Sequence, residues 1–355
     1  MDKHILYSLI ISSNTTIKQA MQKLNETGRK ILFVTDEYSR ILGVITDGDI
    51  RDALLCGMEF TVKVDKVMNT NYIYVESYRH DKLEKVKQLM LDMNVSQIPS
   101  IDSSGIIVDL FVWTDVFNTH PHRKDKEYSN QVIVMAGGKG TRLDPFTKIF
   151  PKPLIPINDK PVIEHIMERF HKFGFNRFTY TLNYKKEYIK LFLKERNFPY
   201  AIDFIEEETF LGTAGSLSLL RNKIEETFFV INCDSLLDLD FEELLKWHKE
   251  QAVAITIVGC HNEVNIPFGV LDIADGKLLR IREKPSNDVI INTGAYVMEP
   301  HVISYLTEGR FIDMNTLIDT VGAKDKIAVF PICGGWYDLG QWEEYHNALM
   351  KIGGE

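Results

Sequence analysis

The chain has 355 residues, 45% of them hydrophobic and 26% charged, with a formal net charge of -9. That size and balance allow two domains with ordinary buried cores and exclude large-scale disorder. The negative charge, with no extended basic stretch, excludes a general nucleic-acid binder. No apolar run approaches the roughly 18 residues of a membrane span, so no membrane partner is expected.

The opening stretch, MDKHILYSLIISSNTT, has too short an apolar segment for a signal peptide and no small-residue cleavage pattern, so a cytoplasmic location is expected. Cys56, Cys233, Cys260 and Cys333 fall singly, which points to core thiols and neither to a zinc site nor to a disulfide framework.

An internal repeat fills the first third. Asp49 in GVITDGDI and Asp115 in LFVWTDV lie 66 positions apart, and the same offset pairs Ile17 with Leu83, Ala20 with Val86, Leu24 with Met90 and Phe33 with Pro99. Each copy predicts helix, strand, strand, helix. Ile17, Ala20, Met21 and Leu24 form the apolar stripe of the first helix, and ILFVT and ILGVIT are the strands. The N-terminal domain is thus placed at residues 1–120, with copies at about 1–60 and 61–120. The polar run HPHRKDKEYSN, from His120 to Asn130, has no apolar period and places a linker at 121–129.

The remainder, 130–355, changes to alternating elements. QVIVMA reads as a strand, followed by a helix from about Pro161 to Phe173, the strand RFTYTLNY, a helix through Tyr188 and Phe192, and AIDFIEE. A helix after LGTAG and the strand FFVIN come next. Such alternation predicts an α/β domain with a mixed, mostly parallel sheet, helices on both faces and a ligand beyond the carboxyl ends of the strands.

At one such end stands QVIVMAGGKGTRLDPFTKIFPKPL, from Gln131 to Leu154. A dinucleotide, a hydrolysed NTP and a transferred nucleotide are the competing ligands. The nearest dinucleotide register places Leu143 where a third glycine belongs, and no P-loop spacing exists. What remains is a loop whose N–H groups at Gly137, Gly138 and Gly140 can approach a triphosphate, with Arg142 able to clamp its oxygens. Lys139 and Lys152 add local positive charge, and the prolines flanking Lys152 fix its backbone.

The stretch AGGKGTRLDPFTKIFPKPLIPI is similar to the consensus of the sugar-1-phosphate nucleotidyltransferases. LGTAGSL, INCDSLLDLD, FGV, REKP, INTGAYVMEP and GGWYDLGQW follow in that family's order, so the resemblance runs from Gln131 to about Leu349. It implies a Rossmann-like, GT-A-like domain in which a sugar-1-phosphate oxygen attacks the α-phosphorus of an NTP and pyrophosphate departs. A phosphate monoester is already largely dianionic at neutral pH, so that nucleophile needs no catalytic base.

The resemblance further implies Asp234 and Asp338 as Mg²⁺ ligands, Arg142 on the β- and γ-phosphates and Lys152 on the α-phosphate. Gly137, Gly138, Gly140, Thr141, Gly212 and Thr213 would contact the nucleotide. Lys284 would meet the sugar phosphate and Glu283 a sugar hydroxyl, with Gly269, Asn292 and Thr293 lining the sugar site. From the residues alone, Asp234 reads first as a turn residue or helix cap after a strand, and Glu283 with Lys284 as an exposed charge pair before a turn at Pro285. In the acidic run Glu206 to Glu208, one carboxylate could accept from guanine, or the run is simply solvated.

The repeat resembles a CBS-domain pair through GVITDGDIRDAL, which implies an adenine nucleotide held at its ribose by Thr46 and Asp49, with Asp115 the counterpart in the second copy. Val112 stands where Thr46 maps and cannot replace a hydroxyl, so one competent ribose site per chain is expected. The other reading of the pair is a dimerisation scaffold, and a homodimer or higher homo-oligomer is expected. A CBS pair ahead of such a transferase resembles the guanylyltransferases of bacterial legionaminic acid synthesis. That implies GTP and glucosamine-1-phosphate as substrates and GDP-glucosamine as product. The alternatives are a mannose- or glucose-1-phosphate enzyme with another base, and a non-catalytic nucleotide-sensing regulatory protein. The presence of Arg142, Lys152, Asp234, Lys284 and Asp338 favours the enzyme.

Overall fold

The structure is a computed structural model and describes residues 3–77, 82–93, 95, 97–112, 116, 126–332 and 334–352. The chain forms two compact units, one of Met1–Lys124, His261–Val289 and Pro331–Gly334, the other of Asp125–Cys260, Ile290–Phe330 and Gly335–Glu355. Among the described residues, no helix is long and apolar enough to cross a membrane.

In the first unit the first repeat comprises strand β1 (Ile10–Ser12), helix α1 (Ile17–Thr27), strands β2 (Ile31–Thr35) and β3 (Ile41–Thr46), and helix α2 (Asp47–Leu55). A capping box between Thr16 and Gln19 starts α1, and Gly28 ends it in the left-handed region at φ 61°. The buried face of α1 is Ile17, Ala20, Met21 and Leu24, the stripe its spacing predicts.

The second repeat supplies β4 (Val75–Glu76), α3 (Lys82–Met93), β5 (Gln97–Ile101) and β6 (Ile107–Val112). The 66-residue offset carries β2 onto β5 and β3 onto β6 without a slip. Register follows too: Ile31 opposite Thr46 becomes Gln97 opposite Val112, and the irregularity after Val34 recurs after Ser100. The copies differ in packing, because Leu83 is 49% exposed where its counterpart Ile17 is fully buried. Asp115, most of the predicted second helix of this copy and linker residues 121–125 lie outside the described residues.

The second unit is built on a larger sheet. In chain order its elements begin with β7 (Tyr128–Ala136), α4 (Val162–His171), β8 (Phe175–Leu182), α5 (Lys186–Glu195), β9 (Ala201–Glu206), β10 (Phe228–Asn232), β11 (Ser235–Leu237) and α6 (Phe241–Gln251). Next along the chain come β12 (Ile255–Asn265), then β13 (Val270–Ala274) and β14 (Lys277–Arg282), which belong to the first unit, and then β15 (Ser286–Met298), α7 (Met314–Gly322), β16 (Ile327–Ile332) and β17 (Trp336–Asp338). The seven-stranded order is β9-β8-β7-β10-β15-β12-β16. The first four strands are mutually parallel and β15 is antiparallel to β10, so the sheet is mixed and mostly parallel.

Alternation along β10 shows why the sheet needs cover on both faces. Phe228 and Val230 join a core with Ala214, Leu217 and Val302, while Phe229 meets the ring of Phe170, which stacks on Phe241 at 3.7 Å. Each such buried side chain contributes roughly 1.5–3 kcal/mol. Strand β7 starts at Tyr128, two residues before the expected domain start, because Tyr128 stacks on Phe175 at 4.5 Å and its hydroxyl donates to Glu242 at 2.6 Å.

The helical turn at LGTAG begins inside the motif, at Gly212–Gly215, and continues as a 3₁₀ turn over Ser216–Leu220. The N–H groups of Ala214 and Gly215 both donate to the Ile312 carbonyl, a long-range tie that local sequence does not announce.

Segments His261–Val289 and Pro331–Gly334, which the sequence boundary leaves in the second domain, pack in the first unit. There β13 and β14 form a two-stranded ribbon. Cys233 and Cys260 are buried as expected of core thiols, whereas Cys56, at the end of α2, is exposed, and Cys333 lies outside the described residues.

Candidate active site

Strand β7 ends at Ala136 and the chain turns through Gly137 to Gly140 into a 3₁₀ turn over Thr141–Leu143. Gly140 has φ 67°, and a Cβ there would lie 3.0 Å from Thr147 and 3.1 Å from Lys152, so only glycine fits. A Cβ at Gly137 would meet Glu207 Oε1 at 2.7 Å, whereas Gly138 faces open space. The loop is therefore braced at both ends and open in the middle, where a phosphate can approach backbone N–H groups. Thr141 and Arg142 are exposed, and among the described residues Arg142 pairs with no carboxylate.

Lys152 opens a short 3₁₀ turn over Lys152–Leu154, set by Pro151 and Pro153, and its ammonium binds the Asp234 carboxylate. Asp234 follows β10, and β11 then pairs antiparallel with β17 so that Ser235 lies opposite Asp338. A Cβ at Gly340 would lie 2.8 Å from Asp234 Oδ2, Asp338 Oδ1 and Lys152 Nζ alike. Three charged groups thus converge on one point beside a residue with no side chain. The Leu339 N–H donates to the Asp234 carbonyl and the Gly340 N–H to Asp338 Oδ1, both at 2.9 Å.

Burial alone would lower the Lys152 ammonium, but the Asp234 carboxylate, with Asp338 behind it, outweighs that and holds it raised, so Lys152 stays charged. Burial, and then the Asp234 charge, pushes the Cys233 thiol up to about 12. It is no nucleophile at neutral pH.

Among the described residues, no group of three or more His, Cys, Asp or Glu side chains could hold a metal ion by itself. Asp234 and Asp338 offer two hard oxygen donors, a set that suits Mg²⁺ with its shell completed by water and ligand phosphates.

Glu206 and Glu207 are separated by their partners. Lys186 and Lys190 hold the Glu206 carboxyl down at about 2. Glu207 is buried, accepts the Leu211 N–H at 2.8 Å and abuts Gly137, which joins the glycine loop to the LGTAG turn. Burial raises its carboxyl above the ordinary range, partly offset by that N–H. At Gly212, φ is 83° and a Cβ would meet the Ile312 carbonyl at 2.6 Å, while Thr213 Oγ1 accepts the Met314 N–H at 2.8 Å and caps α7.

Asn292 donates to the Tyr296 hydroxyl and takes the Gly294 N–H, and the buried Thr293 hydroxyl donates to the Val258 carbonyl. Gly269, Glu283 and Lys284 belong to the first unit, are exposed, and place Glu283 Oε2 3.0 Å from a Cβ at Gly269. Lys284 has φ 43° immediately before Pro285, a strained conformation of the kind that gathers at ligand sites. Thr46 and Asp49 form the capping box of α2, with the Thr46 hydroxyl donating to Asp49 Oδ2 at 2.7 Å. Gly340 and the bracing role of Glu207 escape sequence reasoning. The only signals were the small residue in WYDLG and an acidic run that looks solvated.

A glycine loop at the carboxyl end of a parallel strand, with a lysine and two carboxylates converging nearby, is an α/β arrangement suited to binding nucleotide phosphates. The nucleotidyl transferase family model matches residues 131–355, and the chain belongs to that family. The CBS domain model matches residues 1–56. A probable mannose-1-phosphate guanylyltransferase 3 of Oryza sativa subsp. japonica is 32% identical over 229 residues, covering 62% of this chain and 63% of that protein. A UTP--glucose-1-phosphate uridylyltransferase of Synechocystis sp. is 30% identical with the same coverage. The chain thus spans 63% of the length of these curated relatives. The crystal structure of HddC from Yersinia pseudotuberculosis complexed with GMP-PN is similar at 28% identity and a TM-score of 0.51, covering 63% of this chain and 99% of that one.

Proposed function

We propose that the protein transfers a nucleotidyl group from an NTP to a sugar-1-phosphate and releases pyrophosphate. The observation that carries this reading is the convergence of Lys152, Asp234 and Asp338 at Gly340, on the same unit as the open glycine loop. A sugar-phosphate oxygen forms the new bond to the α-phosphorus as the bond to pyrophosphate breaks, and the dianionic nucleophile needs no base. Lys152 and Arg142 place positive charge against the triphosphate, and the loop N–H groups orient it. Asp234 and Asp338 would hold Mg²⁺, which supplies charge neutralisation to the phosphates. Lys284 would meet the phosphate of the sugar substrate and Glu283 would accept from a sugar hydroxyl, beside Gly269 in the same unit.

The preferred substrates in this reading are GTP and glucosamine-1-phosphate, giving GDP-glucosamine for legionaminic acid synthesis in the cytoplasm. A CBS module ahead of the transferase supports it. Mannose-1-phosphate is the second reading, supported by relatives named as mannose-1-phosphate guanylyltransferases. An adenine nucleotide would bind at Thr46 and Asp49, and the protein would work as a homodimer. The test is pyrophosphate release with each of five NTPs against glucosamine-, N-acetylglucosamine-, glucose- and mannose-1-phosphate in Mg²⁺. Turnover confined to GTP with glucosamine-1-phosphate supports the first reading, and GTP with mannose-1-phosphate the second. No turnover with any pair, with and without AMP, counts against catalysis.

A further inference from the structure

Helix α1 presents Lys18 and Gln22 one turn apart. Lys18 Nζ lies 3.0 Å from Asp288 Oδ1 and 3.2 Å from Glu263 Oε1, and Gln22 Nε2 donates to Glu263 Oε2 at 3.4 Å. The first turn of α1 places this lysine, because its N–H donates to the Phe60 carbonyl at 3.0 Å. The Phe60 ring in turn packs on His261 at 4.6 Å, and His261 Nε2 is 3.1 Å from the same Asp288 oxygen. All these residues belong to the first unit.

The cluster is more than a solvated surface pair. The Lys18, Glu263 and Asp288 side chains are 24%, 30% and 21% exposed. Burial pushes the Lys18 ammonium down and the Asp288 carboxyl up, yet their mutual bonds outweigh it, holding Lys18 raised and Asp288 lowered. A helix of the CBS-matched region is thereby joined to two strands of the transferase-matched region.

What the cluster grips is the neck of an arm. Glu263 lies at the end of β12 and Asp288 at the start of β15, and the Ile266 N–H donates to the Pro285 carbonyl at 3.0 Å to close the neck. Gly269, Glu283 and Lys284 all lie in the excursion between them, and Asp288 stands midway between Lys284 and Asn292. We infer that Lys18 is a positioning residue for sugar-phosphate binding, because it anchors this neck to α1 and so fixes Glu283 and Lys284. The inference rests on the reading of those two residues given above.

The test uses the full chain with Lys18→Met, Lys18→Arg, Asp288→Asn and the Lys18→Met/Asp288→Asn pair. Lys18→Met is expected to raise the sugar-1-phosphate KM about fivefold, the scale of one partly buried ion pair. KM for the NTP and kcat should stay within about twofold. Lys18→Arg should retain the wild-type KM, and the double variant should be no worse than either single one. An unchanged sugar-1-phosphate KM in Lys18→Met, or equal rises for both substrates, overturns the inference. Amide exchange gives a readout that does not depend on turnover: residues 263–289 should exchange faster in Lys18→Met, with the strand at 131–136 unchanged. If the wild-type chain turns over no substrate pair, the transfer reading fails by itself. Unaltered exchange at 263–289 in the variant then independently overturns the anchoring role.

Discussion

Asp234 and Asp338 meet because β11 pairs with β17 with Ser235 opposite Asp338, and the Lys152 ammonium binds the first of them. The two carboxylates therefore have different neighbours and different expected phenotypes. Asp338→Asn removes one candidate metal oxygen and leaves the lysine paired. It should lower kcat about 10²-fold or more with little change in thermal stability. Asp234→Asn also strands the Lys152 charge, so it should lose activity and unfold at a lower temperature than Asp338→Asn. Chelation of divalent ions should abolish wild-type turnover, and added Mg²⁺ should restore it. Activity that survives chelation would remove Asp234 and Asp338 from any metal role.

Gly340 is the point on which these groups converge. An alanine methyl would stand 2.8 Å from two carboxylate oxygens and the Lys152 Nζ, closer than a Cβ contact allows. Gly340→Ala should therefore force the three side chains apart, costing about 1–3 kcal/mol by overpacking and most of the activity. Thermal unfolding and pyrophosphate release, measured on the same preparation, separate the two effects. Wild-type turnover in this variant would mean that the side-chain arrangement around Gly340 is irrelevant to the chemistry.

Much of this was legible in the sequence because it is local. The repeat offset, the α1 stripe and the strands β2, β3, β7, β8 and β10 follow from spacing and composition within about ten residues. The glycine loop was legible for the same reason, since Gly140 and the prolines flanking Lys152 lie within one short segment. What was hidden depends on long-range pairing. The Ser235–Asp338 register, the Ile312 carbonyl beneath LGTAG and the attachment of His261–Val289 to the CBS unit each join residues far apart in sequence. The acidic run before LGTAG shows the limit: Glu206 faces two lysines while its neighbour Glu207 is buried. Strand alternation sends adjacent side chains to opposite faces, but which face is covered is set by the fold.

Glu207 gives a pH prediction. Burial raises its carboxyl above the ordinary range, so the ionised form is the costly one in the folded protein. The stability this group contributes is fully present below its unfolded pKa and is lost as pH rises through the raised folded value. Glu207→Gln keeps an oxygen to accept the Leu211 N–H and carries no charge. The variant should therefore gain on the wild type as pH increases from 4 to 7, read as a growing difference in urea midpoint. A difference that stays flat across that range would mean that burial does not raise the Glu207 carboxyl.

Thr46 carries two roles that one pair of substitutions can separate. Its hydroxyl lies 2.7 Å from Asp49 Oδ2, and its Oγ1 accepts the Asp49 N–H at 3.3 Å, which caps α2 without any ligand. Thr46→Ala should cost about 1 kcal/mol through loss of the cap, seen as faster amide exchange in the first turn of α2. Thr46→Ser keeps the hydroxyl and should restore that protection. If the same hydroxyl also holds a ribose, AMP binding measured by calorimetry should vanish in Thr46→Ala and persist in Thr46→Ser. Equal AMP binding by the wild type and Thr46→Ala would confine Thr46 to helix capping and leave the nucleotide, if bound, to other groups of the repeat.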